Sequence, residues 1–287
     1  MKFMFLSFLL LFITPQENVP DSFELRHEGQ NIERIDKEDF IIPYLDENMV
    51  DEQKFEAFLD ELDDKVAKEP VNAIIDEGGS IVQGKPGAKV DRTKLKAQFY
   101  QYFYTNRVKS SNVPMSPVYP QVDAELLEEI RTQQIGNYLT YYKKSNKGRT
   151  TNISLATESI NNHVVFPGEV FSFNKVVGKR TKEKGYVRAP VIVRGELEDG
   201  IGGGICQVSS TLFNAADNAG LKIVERYSHS RKVPYVPPGR DATVSWYGPD
   251  FTFKNEFNTP VLIQAKSVNG MVIVQIYSSD DLVKKAD

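Results

Sequence analysis

The chain has 287 residues, 40% hydrophobic and 11% aromatic, with 35 Lys and Arg against 39 Asp and Glu for a net charge of −4. That length suggests two domains, the apolar content can build real cores, and the lack of a basic excess argues against nucleic acid as a partner. The single cysteine, Cys206, excludes an internal disulfide and a Cys-rich metal site.

Met1 and Lys2 precede an apolar run over residues 3–13 that is broken only by Ser7. One early positive charge and a short apolar run fit the core of an export signal. The run is shorter than the roughly 20 residues of a comfortable membrane span. A polar, Pro-containing stretch over residues 14–22 follows at once. Residues 1–22 are therefore read as an export signal or short membrane anchor, and the protein as extracytoplasmic: secreted, wall-associated or anchored. The alternative is a buried strand or helix at a domain edge. No A-x-A pattern marks a cleavage site, and no cysteine follows to carry a lipid.

Residues 23–135 read as a mostly helical module with a small hairpin. Phe55, Phe58, Leu59, Leu62 and Val66 recur at helical spacing, with acids on the opposite face. Those acids lack the spacing of a calcium loop and are read as a solvated face. A hairpin is expected over residues 71–83, turning at Asp76-Glu77-Gly78-Gly79. Asp91 is placed to cap a helix carrying Leu95, Phe99, Tyr102 and Phe103, and Asp123 a helix carrying Leu126, Leu127 and Ile130. Nothing in this half has catalytic spacing. The stretches "EPVNAIIDEGGSIVQGKPGAKVDRTKL" and "SPVYPQVDAELLEEI" resemble the peptidoglycan-binding module that precedes catalytic or VanW domains in bacterial envelope proteins.

From about Gly148 the texture changes to short strands, tight turns and one prominent helix. Asn161-Asn162 fits a turn, since Asn tolerates the left-handed conformation. Residues 188–194 are a strand candidate. Gly202-Gly203-Gly204-Ile205-Cys206-Gln207 then leads into a helix with Leu212, Ala216 and Ala219 on one stripe and Gly220 as its terminator. Cys206 thus sits at or just before a helix N-terminus. Free N–H groups and the helix dipole there favour a thiolate. The glycines would let a substrate backbone approach closely, and nearby N–H groups could hold an oxyanion.

A base should follow. Of His27, His163 and His229, only His229 lies downstream, twelve residues before Asp241 and a strand expected over 242–247. Cysteine at a helix start, then histidine, then aspartate is the order of papain-like and transglutaminase-like enzymes: thiolate, proton acceptor, orienter of the imidazole. The alternative for Cys206 is a small buried residue at a tight helix–strand contact. His163 is read as a surface or locally bonded residue. No Gly-Lys-Ser/Thr ends the glycine run, so a phosphate loop is not supported. No further ligands stand at metal spacing, so neither metal nor cofactor is expected. Asn269-Gly270 marks a hairpin between apolar strands over 261–265 and 271–277. Arg226, Arg231, Lys232 and Arg240 gather near His229, either as a solvated basic edge or as a dock for carboxylates or anionic wall polymers.

The segments "RTTNISLA", "VVFPGEVFSFNKVVGKRTKEKGYVRAPVI", "GGGICQVSSTLFNAADNAGL", "VERYSHSRKVPYVPPGRDATV" and "DFTFKN" closely resemble the VanW family over residues 136–280, leaving 281–287 as a tail. One departure is visible: Asn162 stands where the family usually has Gly. The resemblance implies a bacterial cell-envelope protein with an α+β domain, its Cys-bearing helix packed on antiparallel strands. It supplies no agreed mechanism, and no drug-resistance activity follows from the family name.

Two functions are consistent with these residues. One is a cysteine hydrolase or transpeptidase acting on peptidoglycan stem peptides through Cys206, His229 and Asp241. Gly202, Gly203, Gly204, Gln207, Ser209, Arg226, Tyr235 and Arg240 would line its substrate site. The other is a non-catalytic protein that binds peptidoglycan or another wall polymer. Neither calls for an oligomer.

Overall fold

The structure is a computed structural model. It describes residues 22–43, 49–105, 107–193 and 196–284, so the expected export segment up to residue 21 lies outside the described residues. The fold is α+β, and the chain divides into two compact units: Met1–Pro70 with Pro86–Tyr119, and Val71–Lys85 with Pro120–Asp287. Residues 71–85 and 120–135, which the sequence reading grouped with the first module, belong to the second unit.

In the first unit, Phe23 and Leu25 alternate with Glu24 and Arg26, which buries one face of the strand Ser22–His27. That strand pairs antiparallel with Gln30–Asp36 and parallel with Ser110–Asn112. The hairpin was not anticipated, because its second strand (Gln30–Asp36) has one buried residue, Ile35, and no clean alternation. The unit is therefore less helical than its sequence suggests. Two helices pack beside these strands. Glu52–Val66 starts where the Asp51 carboxylate accepts the N–H groups of Gln53 and Lys54. Arg92–Thr105 starts where Asp91 accepts from Lys94. The core is a stack of rings: Phe55 lies 4.3 Å from Phe99, and Phe23 5.3 Å from Tyr102, all four fully buried. The acidic face is an ion-pair network, in which Arg92 meets Asp60 at 2.6 Å and Asp63 at 3.0 Å. Among the described residues no cluster of His, Cys, Asp or Glu is arranged to hold a metal, and no helix is long and apolar enough to cross a membrane.

The second unit is built on a four-stranded antiparallel sheet in the order Gln133–Tyr141, Met271–Ser278, Val261–Val268, His163–Val165. Asn269 and Gly270 take φ of 52° and 81° at its central hairpin, as a two-residue turn of this type demands. The helix Ile205–Asn218 packs on this sheet beside the helix Lys147–Ile160. Two smaller sheets frame that helix pair. One has the order Val170–Ser172, Thr252–Lys254, Lys222–Glu225, and the other pairs Arg188–Val193 with Glu196–Ile201. The expected short hairpin forms, Ile74–Ile75 against Ile81–Val82. Asn162 (φ 62°) binds it with both ends of its amide: Ile75 N–H donates to Oδ1 at 2.9 Å, and Nδ2 donates to Ile75 O at 3.0 Å. A glycine at position 162 would satisfy the turn but could not make these bonds.

Replacing Phe99 by Ala removes the ring stacked between Phe55, Phe40 and Phe103. It should lower stability by about 3–5 kcal/mol, read as a fall in the urea midpoint followed by circular dichroism; an unchanged midpoint would contradict this core.

Candidate active site

Cys206 is the second residue of the helix Ile205–Asn218, one position inside the boundary expected from sequence. Gly204 caps that helix at φ 112° and offers no side-chain bond, so the first-turn N–H groups are left without a side-chain acceptor. The glycines serve packing as well as access. A Cβ on Gly203 would lie 2.5 Å from the carbonyl oxygens of Ala189 and Pro190, and one on Gly204 2.9 Å from Arg149 Cγ. Asn152 fixes the turn from below, its buried Nδ2 donating to Gly203 O at 3.0 Å and to Val187 O at 2.9 Å.

The helix buries a polar flank. Gln207, Ser209, Ser210, Thr211 and Asn214 are at most 1% exposed, and each is bonded. Gln207 donates to Thr140 Oγ1 and Tyr141 O and accepts from Arg149 at 2.7 Å. Ser209 donates to Ala242 O at 2.6 Å, while Ser210 accepts from Ala242 N–H at 2.9 Å. Residues 242–247 are irregular and not the expected strand: helix side chains take both polar groups of Ala242, while Thr243 and Ser245 donate to Tyr227 O and Pro249 O. Asn174 and Asp250 hold the next turn, Asn174 donating to Ser245 O and Pro249 O, and Asp250 accepting from Ser172, Asn174 and Phe251.

His229 and Asp241 both lie in irregular backbone, and the fold brings them to Cys206. His229 Nδ1 is 2.6 Å from Asp241 Oδ2, which also accepts the His229 backbone N–H at 2.6 Å. The two side chains are only 5% and 9% exposed. The imidazole and the Cys206 thiol line the same cleft, near enough for each to shift the other's proton affinity. Sγ also lies 3.5 Å from Val244 O and 3.9 Å from Thr243 Oγ1. Burial pushes the thiol up, but the nearby His229, its positive charge, and contacts of Val244 and Thr243 outweigh burial and set it below its ordinary value. Burial pulls the His229 imidazole down, and Cys206 and Asp241 together lift it above its usual range. Asp241 is raised by burial and lowered further by its two bonds from His229. The three shifts favour a thiolate–imidazolium pair oriented by a carboxylate.

Cys206 and His229 open into a cleft of about 690 Å³ lined also by Gly202, Gly204, Gln207 and Tyr235 among others, while Asp241 does not reach it. Four further expected site residues do not line it. Gly203 packs against the strand Arg188–Val193. Ser209 is fully buried on Ala242. Arg226 and Arg240 stack on Phe213 at 4.9 and 4.8 Å; Arg226 donates to Gly239 O and Asp241 O, and Arg240 pairs with Asp217. Their charges are spent on the fold. Arg231 and Lys232 line an adjoining groove that shares Arg149, Gln207 and Tyr235 with the cleft. His163 is half-buried, edge-on to Phe171 at 5.2 Å, and burial pulls it below its ordinary value. The cleft also contains Arg149, Lys179, Arg180, Trp246 and Tyr247, none of which stands out by spacing.

The model of the VanW like protein family matches residues 148–277, a span that carries the whole triad. YoaR of Bacillus subtilis (strain 168), a protein described as uncharacterized, is 54% identical over 271 residues, 94% of this chain and 89% of its own. The chain belongs to the VanW family. The vancomycin B-type resistance protein VanW of Enterococcus faecalis (strain ATCC 700802 / V583) is 28% identical over 137 residues, covering 46% of this chain and 50% of that protein. No solved structure matches significantly. Arg149 and Asn152 lie within the VanW-like stretch "RTTNISLA", and Arg180 within "VGKRTKEKG". Membership of those stretches is the one sequence signal that marks them.

His229→Ala removes the two largest influences that lower the Cys206 thiol and leaves burial, which raises it. The midpoint of the iodoacetamide alkylation rate against pH should move to higher pH in the variant than in the native protein. Coincident profiles would show that the imidazole does not control the thiol.

Proposed function

We infer that this VanW-family protein is a cysteine-dependent acyl-transfer enzyme of the bacterial cell envelope, acting on an amide of peptidoglycan stem peptides. The observation that carries this reading is the grouping of Cys206 and His229 on the wall of one open cleft, with Asp241 bonded to the far nitrogen of the imidazole. A thiol with no chemical task would not need a buried imidazole whose other nitrogen is held by a buried carboxylate. An apolar run after Lys2 supports an exported protein, and the two-unit organisation supports a first module that positions the wall polymer.

The Cys206 thiolate attacks the amide carbonyl carbon. The carbonyl oxygen takes the negative charge at the positive end of the helix dipole, where the Cys206 N–H is the nearest donor, since those of Ile205 and Gln207 already donate to Gly202 O and Gly204 O. As the tetrahedral species collapses the C–N bond breaks, and the departing amine takes the proton of the His229 imidazolium. This leaves a thioester on Cys206 and neutral imidazole. Water, or an amine of a second stem peptide, then attacks the thioester. His229 takes its proton, the C–S bond breaks, and the thiolate returns. Asp241 keeps Nδ1 of the ring occupied, so that Nε2 faces the reaction.

Cys206→Ala should abolish turnover of purified muropeptides, followed by mass spectrometry, while leaving their binding in place. Unchanged turnover would sink the nucleophile assignment, and absent turnover in the native protein would favour a wall-binding role. Asp241→Asn should lower kcat by about 10³–10⁴-fold with a small change in KM, the pattern of a lost ring orientation.

A further inference from the structure

The cleft is cationic in a protein that is acidic overall. Arg149, Lys179 and Arg180 line it, and no carboxylate does. Two of the three are accounted for. Arg149 donates to Gln207 Oε1 at 2.7 Å and lies 5.9 Å from the centre of the Tyr235 ring. Lys179 sits 5.4 Å above the Tyr247 ring, at the outer wall. Arg180 is different. Both terminal nitrogens of its guanidinium are buried and have no hydrogen-bond partner. It faces the Phe173 ring, 5.7 Å away, and Tyr186 lies near enough for its charge to act on the guanidinium. Asp250 is close enough for its charge to be felt there, yet its oxygens are taken by Ser172, Asn174 and Phe251.

A desolvated guanidinium with idle donors is costly, since each buried N–H forfeits its bonds to water. The fork matches one kind of group above others, a carboxylate held by two parallel bonds. Its place is also defined. The Arg180 stem lies against Gly202, where an added Cβ would sit 3.4 Å from Arg180 Cβ, four residues before the nucleophile. The charges of Arg180 and Cys206 interact across the same cleft.

The geometry points to Arg180 as a specificity-determining receptor for a free carboxylate on the acyl donor, close to the scissile amide, as on a C-terminal residue that leaves with the amine. The inference rests on the acyl-transfer reading for its reaction but not for its ligand. A change in the Arg180 side-chain torsions brings the fork to the carboxylate, and binding then supplies the partners that the empty cleft lacks. The same contact places the scissile carbonyl beside Cys206, so the carboxylate orients the substrate as well as holding it.

The test compares a synthetic stem tetrapeptide ending in a free carboxylate with its C-terminal carboxamide. Thioester formation on Cys206 is followed by intact mass, and binding to Cys206→Ala by calorimetry. The native protein should acylate faster with the acid, by about 10- to 100-fold for a charge-assisted pair. Arg180→Gln should erase that preference, bringing the ratio of acid to carboxamide rates to about one. Arg180→Lys, which keeps the charge but not the fork, should recover part of the preference. Equal rates for acid and amide in the native protein overturn the carboxylate receptor while leaving the acyl-transfer reading intact; that comparison needs no variant. A preference that survives Arg180→Gln also overturns it. If neither peptide forms a thioester, the acyl-transfer reading fails, and calorimetry decides the receptor separately. Tighter binding of the acid that is lost on Arg180→Gln supports it, and equal or absent binding refutes it.

Discussion

Two serine hydroxyls on the cysteine helix determine where everything else in the site can be. Ser209 donates to the Ala242 carbonyl and Ser210 accepts the Ala242 N–H, so one residue of an otherwise unpaired segment is clamped at both its polar groups. Asp241 stands immediately before the clamp, and Thr243 and Val244, which touch Sγ, immediately after it. The same helix turn that carries the nucleophile therefore sets the position of the carboxylate. Both hydroxyls also reach back to the Cys206 carbonyl, at 3.2 and 2.6 Å. Serines bonding backward in this way weaken an isolated helix slightly. Here they are repaid because a buried backbone segment with no strand partner needs those bonds.

The clamp makes the electrostatics of the triad workable. A thiolate in a buried position is opposed by desolvation, and burial is the largest single influence on Cys206. The direction reverses because the imidazole is held near the thiol, with Val244 and Thr243 adding to its effect. Asp241 achieves that with one oxygen, which holds both the ring and the backbone N–H of His229. At 5% and 9% exposure the pair is shielded from solvent, so its mutual attraction is screened little. Each member depends on the others: without the carboxylate the ring loses its orientation, and without the ring the thiol reverts to what burial dictates.

The parts of the molecule that follow one-dimensional rules were legible in the sequence. Asp91 and Asp123 cap helices as their spacing demands, Asn269-Gly270 turns a hairpin, and Gly220 (φ 75°) ends the cysteine helix. The order Cys, His, Asp picked out three residues that the fold gathers, with His229 beside Cys206 on the cleft wall and Asp241 bonded to the ring. What could not be read is what long-range polar bonds decide. Residues 242–247 alternate like a strand, but the side chains of Ser209, Ser210 and Asn174 replace the ladder partner. Arg226 and Arg240 looked like a substrate dock because they cluster near His229 in sequence, yet they sandwich Phe213 and satisfy carbonyls and Asp217. Ser209 carries the same lesson: a hydroxyl near a nucleophile in sequence serves the helix's buried flank. No local pattern distinguishes an arginine with a partner from one without.

That distinction divides the arginines of this unit into two groups. Arg226 and Arg240 are bonded at carbonyls, Ser228, Asn214 or Asp217, so their charges are neutralised or solvated and their removal would be felt as lost packing. Arg149 and Arg180 face the cleft with no carboxylate partner among the described residues, and burial disfavours the charge on both. Arg149 still serves the fold, since its bond to Gln207 ties the helix Lys147–Ile160 to the cysteine helix. Arg180 makes no such bond, and the stack on Phe173 alone does not offset an unmet guanidinium. A group that lowers the stability of the empty protein can contribute only when something enters the cleft. The positive wall beside Cys206 is thus best understood as half of an ion pair whose other half arrives with the substrate.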